Sequence, residues 1–106
     1  MKLVDLIDWL ADSGRLEALV EKEGFEDRSM VEIYMIGSLS LESEIVFFDA
    51  EKTPPTIEFE ENGIAYIEFF PLEHALDSIS DLQLFGKGYS NDFIARRLFE
   101  YRINDA

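Results

Sequence analysis

The sequence contains no cysteine. A disulfide framework, a thiol nucleophile and a thiolate metal site are therefore all excluded. It has one histidine, so histidine-rich metal ligation and histidine-pair chemistry have almost nothing to work with. No apolar run approaches the ~20 residues that span a bilayer as a helix. The opening Met1-Lys2-Leu3-Val4-Asp5-Leu6-Ile7-Asp8 interrupts its apolar residues with acids and lacks a small-residue cleavage site, so it does not read as a secretory signal. A cytoplasmic location is the expectation. Bases are scarce as well: nine Lys and Arg stand against 23 Asp and Glu, a net charge of −14. Nucleic acid and anionic membrane are polyanions that such a chain repels, which leaves a basic protein surface as the expected partner.

The chain does have the means to fold. Its 106 residues are 47% hydrophobic and 13% aromatic, enough for the core of one domain and against disorder. Leu3, Leu6, Ile7 and Leu10 share one helical face, while Leu16, Leu19 and Val20 form a stripe nearly opposite. Two helices are expected, with a break at Ser13-Gly14, Gly14 ending the first and Gly24 the second, and Phe25 folding back over the last turn. Four strands follow: Val31 to Met35, Ile45 to Phe48, Ile57 to Glu60 and Ile64 to Phe70. Thr53-Pro54-Pro55 is expected to be a stiff connection.

For the turn Glu61-Asn62-Gly63, segregation of side chains favours a three-residue loop with Gly63 left-handed. That register places Ile57, Phe59, Ile67 and Phe69 on one buried face and Glu58, Glu60, Tyr66 and Glu68 on the other. Pro71 is expected at the first position of a helix whose Leu72, Ala75, Leu76 and Ile79 face inward. Gly86-Lys87-Gly88 reads as a loop. Ser90 caps a last helix with Ile94, Ala95, Leu98 and Tyr101 inward and an Arg96–Glu100 pair outside. The fold class is α+β: a four-stranded antiparallel sheet with helices on one face, in the order ααββββαα.

Chemistry-bearing motifs are sparse. His74 with Asp77 one turn later reads as surface decoration rather than an acid–base pair. No serine elbow or phosphate loop is present. Glu42 with Glu44, or Glu58 with Glu60, could hold a hard cation, but a solvated acidic face is the simpler reading. No enzyme activity, cofactor or metal is expected. The charge is uneven: residues 1–28 carry −4, residues 29–86 carry −11 and residues 87–106 carry +1. Two acidic groups stand out, Glu58, Glu60 and Glu68 with Tyr66 on the sheet, and Glu73, Asp77 and Asp81 at i, i+4 and i+8 on a helix. Either could steer and hold a partner, or the acidity could serve solubility.

Ser38-Leu39-Ser40-Leu41-Glu42-Ser43-Glu44-Ile45-Val46-Phe47-Phe48-Asp49, and the stretches Tyr89 to Ala95 and Tyr101 to Ala106, resemble the small acidic immunity proteins of bacterial polymorphic-toxin and contact-dependent inhibition systems. The resemblance extends to size and acidity and carries over no functional residue. It implies a cytoplasmic inhibitor that binds one cognate toxin, often a nuclease. An acidic mimic of nucleic acid that inhibits a DNA-binding enzyme is the competing expectation, with a small housekeeping adaptor behind it.

Overall fold

The computed structural model describes residues 1–54 and 56–105, without the side chain of Asp105. Element order is α1 (Leu3–Leu10), α2 (Ser13–Lys22), a 3-10 turn (Arg28–Met30), β1 (Val31–Ile36), β2 (Ile45–Asp49), β3 (Glu58–Glu61), β4 (Ile64–Pro71), α3 (Leu72–Asp81) and α4 (Asn91–Asp105). The strands form one antiparallel sheet in spatial order β2-β1-β4-β3. This is the expected ααββββαα architecture. Its shortest dimension, 21 Å, is that of a helix layer on a sheet.

The helices cover one face of the sheet. Leu3, Leu6, Ile7 and Leu10 of α1, Leu16, Leu19 and Val20 of α2, and Leu72, Ala75 and Ile79 of α3 enter a single core with Ile94, Ala95 and Leu98 of α4. Val31, Ile33 and Met35 meet them from β1. A bulge in β4 skips Phe69 in the pairing, since Ile33 lies opposite Phe70 and Tyr34 opposite Glu68. Both Phe69 and Phe70 are buried there, and Phe69 stacks on Phe99 of α4.

Local chemistry explains where the helices stop. α1 ends at Leu10, earlier than the Ser13-Gly14 break, because Asp12 starts the next helix: its carboxylate accepts from the Gly14 and Arg15 amides at 3.0 and 3.2 Å. Gly14 thus sits in the first turn of α2, where unpaired N–H groups need a cap more than the chain needs a break. α2 closes as expected, with Gly24 at φ +89° and the Phe25 amide reaching back to the Val20 carbonyl. Pro71 ends β4 in an extended conformation and is the N-cap of α3, so the first helical position is Leu72 and not Pro71 as expected. Ser90 accepts from the Phe93 amide and caps α4. On α4, Glu100 pairs with Arg97 at 3.2 Å rather than with Arg96. Pro55, the second proline of the expected stiff connection, lies outside the described residues.

The β3–β4 turn differs from expectation. Glu61 pairs with Ile64, Phe59 with Tyr66 and Glu58 with Ile67, so the loop is the two residues Asn62-Gly63. Both have positive φ, 55° and 79°, the signature of a type I′ hairpin turn. Only Phe69 of the four expected core residues is fully buried. Ile57 is 64% exposed, Ile67 is half-buried, and Phe59 lies on the opposite face. Side-chain segregation does not select the register here, because the uncovered face is not uniformly polar and β3 lies at the sheet edge, where Glu58 and Glu60 stay solvated on the helix side.

Candidate protein-binding face

β-strand alternation assembles the uncovered face from Val46 and Phe48 of β2, Glu32, Tyr34 and Ile36 of β1, Ile64, Tyr66 and Glu68 of β4, and Phe59 and Glu61 of β3. Four of these are aromatic and converge. Tyr34 meets Phe48 and Phe59 edge-on at 5.2 and 5.4 Å between ring centroids, Phe48 meets Tyr66 at 5.1 Å, and Phe59 stacks on Tyr66 at 5.2 Å. Such pairs each add ~0.5–1.5 kcal/mol beyond area burial. Tyr34 is fully buried, although no helix covers it. Phe48, Phe59 and Tyr66 remain half-exposed above it.

Carboxylates border this cluster. Tyr34 donates its hydroxyl proton to Glu32 Oε2 at 3.2 Å, and Thr53 Oγ1 donates to the same oxygen at 3.4 Å. Burial, reinforced by the negative charges of Glu32 and Glu68, pushes the Tyr34 phenol up to about 12. Partial burial, with Glu32 as a second cause, also raises the Glu68 carboxyl above the ordinary carboxylate value, and Arg102 offsets this only in part. The Arg102 guanidinium is engaged with backbone, donating to the Phe69 and Glu68 carbonyls at 2.8 and 3.0 Å. Glu32 and Glu68 thus line a shallow cleft of about 350 Å³, closed by Thr53, Pro54, Thr56 and Ile57. Two carboxylates with incomplete compensation, beside a phenol and a half-exposed aromatic cluster, suit an incoming ammonium or guanidinium group.

No family model, curated protein or solved structure matches this chain. The geometry therefore stands alone.

The structure divides the residues singled out from sequence. Tyr66 and Glu68 belong to the open face, whereas Glu58 and Glu60 point to the helix side of the edge strand. Glu73 is drawn to Arg28, Oε1 to Nε at 2.8 Å, while Asp77 and Asp81 are exposed along α3. His74 is exposed and lies against the Phe70 ring at 4.8 Å. Glu42 is paired with Lys2 at 3.0 Å and Glu44 with the Met1 amino group. Among the described residues no three His, Cys, Asp or Glu side chains gather as metal ligands, and no helix is long and apolar enough to cross a membrane. Sequence reasoning missed Glu32, Phe48, Phe59 and Glu61 as members of this face. Asn62-Gly63 is the signal that would have found Phe59, since that dipeptide prefers the two-residue turn.

Proposed function

We propose that this protein acts in the cytoplasm by binding a basic protein on its open sheet face, as an immunity-type inhibitor of a toxin, and that it has no catalytic activity of its own. The observation that carries the reading is the half-buried Glu32–Glu68 pair beside the Tyr34–Phe48–Phe59–Tyr66 cluster. A carboxylate raised by partial burial, as Glu68 is, gains from a cationic partner, and half-exposed aromatics provide the contact area that concentrates binding energy at hot spots. The net charge of −14 supplies long-range attraction, which carries association toward ~10⁸–10⁹ M⁻¹s⁻¹ for a basic partner. A toxin inhibitor benefits from that speed, and a nuclease offers the basic cleft it would meet.

The test is capture of the partner from source cells, followed by association kinetics and assay of the partner's activity. Tyr66→Ala and Glu68→Gln are expected to weaken binding by roughly 30-fold or more, the hot-spot range. The double variant Asp77→Lys/Asp81→Lys should change only the salt-dependent on-rate, and His74→Ala should leave neutralisation intact. A captured partner without basic character, or one that binds Tyr66→Ala and Glu68→Gln as it binds wild type, overturns the reading.

A further inference from the structure

β3 is an edge strand whose ladder phase is set by one bond. The Glu68 amide donates to the Ile57 carbonyl at 2.8 Å. Antiparallel alternation then turns the backbone groups of Phe59 and Glu61 toward β4 and those of Glu58 and Glu60 outward. Thr56 Oγ1 donates to the outward Glu58 carbonyl at 3.0 Å. Glu60, an exposed residue, presents its N–H and C=O to the free edge of the sheet. Some other edge groups of the sheet are occupied. The Ile45 amide at the start of β2 donates to the Met1 carbonyl, and Arg102 takes the Glu68 and Phe69 carbonyls where β3 no longer runs beside β4.

The side chains of β3 decide which strand this edge accepts. A second copy paired about a twofold at Phe59 would set Glu58 opposite Glu60 twice, and like charges directly opposite are destabilising. A foreign strand with lysine or arginine at those positions meets the opposite situation. Its intervening residue would fall on the open side, next to Ile57 and Phe59, of which Ile57 is 64% exposed.

We propose that β3 receives an extended segment of the partner as a fifth strand, with Lys or Arg at i and i+2 beside Glu58 and Glu60 and an apolar residue between them against Ile57 and Phe59. This rests on the basic-partner reading above and specifies how part of that partner docks. Main-chain hydrogen bonds to Glu60 hold the segment, and the alternating pattern selects it.

The probe is a short synthetic peptide alternating lysine with valine, compared with a peptide of equal composition whose lysines form one block. The alternating peptide is expected to bind roughly tenfold tighter, a difference of ~1.4 kcal/mol. It should also slow hydrogen exchange at the Glu60 amide in the intact protein. Glu60→Pro, tolerated on an edge where the N–H faces solvent, should lose roughly tenfold more affinity than Glu60→Gln, which removes charge alone. Equal binding of the two peptides, an unprotected Glu60 amide, or equal losses for Pro and Gln would each overturn strand addition. If a captured basic partner still binds Glu60→Pro as it binds wild type, strand addition fails and the open-face reading survives. If no basic probe or partner binds at all, both fail.

Discussion

At the scale of single residues, two side chains are held at a cost. Glu68 is half-buried beside Glu32, and its carboxyl is raised chiefly by burial. A raised folded-state value means that protonation favours the native form. The stability is present below the unfolded carboxylate range and is lost as pH rises through the folded value. Glu68→Gln is therefore expected to be more stable than wild type at neutral pH, with the advantage vanishing as pH falls below the carboxylate range. Urea midpoints at neutral and acidic pH check it, and a neutral-pH loss would contradict the assignment. The second side chain is Ser78 of α3, which is 1% exposed with an Oγ that finds no partner among the described residues. A buried unmade hydrogen bond costs ~1–3 kcal/mol. Ser78→Ala should accordingly raise stability by about 1 kcal/mol in the same melts; destabilisation would show that the hydroxyl is satisfied.

At the scale of elements, the β3–β4 hairpin shows where local and global signals compete. Asn62-Gly63 reads as a two-residue turn, whereas the alternation of apolar and acidic residues in β3 and β4 favours three. The turn signal prevails because the side chains it mixes are not penalised: Glu58 and Glu60 stay in water at the sheet edge, and Phe59 finds Tyr34, Phe48 and Tyr66 on the open face. The two registers predict different mutational costs. Phe59→Ala should destabilise by about 1–3 kcal/mol, below the full cost of a core phenylalanine because its ring is half-exposed. Ile57→Ala should fall within ~0.5 kcal/mol of wild type, as surface substitutions do. An Ile57→Ala loss of ~2–5 kcal/mol would return that residue to the core. The helices were more legible than this hairpin. Their stripes at i, i+3, i+4 and i+7 all reach the core, because a helix layer on one side of a sheet leaves each helix a single buried direction. Their ends were less so, since Asp12 acts through two backbone amides that no periodicity announces.

The whole molecule carries −14, most of it between residues 29 and 86. Few of these charges are neutralised. Arg28 binds Glu73 and Arg97 binds Glu100 at partly exposed positions, where an ion pair contributes ~0–1 kcal/mol, and Lys2 binds the exposed Glu42. Self-repulsion therefore dominates the surface, and salt screens it. The melting temperature is expected to rise between low and moderate sodium chloride; each ~1 kcal/mol of relieved repulsion corresponds to ~4–8 °C for a domain near this size. Scanning calorimetry across ionic strength makes the measurement, and a falling melting temperature would mean that the ion pairs outweigh the repulsion. Partner association should move the other way, slowing as salt rises, because the same charges attract a basic surface.

The α+β class, the element order and the inward stripes were set locally, by residue periodicity and by Gly24 and Ser90 acting within a turn of themselves. The acidity and its concentration in the middle of the chain are likewise properties of composition. Which carboxylates stand together was decided only by tertiary pairing. Glu32 and Glu68 are distant in sequence and meet because β1 lies beside β4, while Glu58 and Glu60, closer in sequence to Glu68, turn to the other face. Register has a period of two, so a single residue in the length of one turn exchanges the faces of a strand. The aromatic cluster follows from the same pairing, because Tyr34, Phe48, Phe59 and Tyr66 come from four strands and become neighbours only when the sheet closes in the order β2-β1-β4-β3.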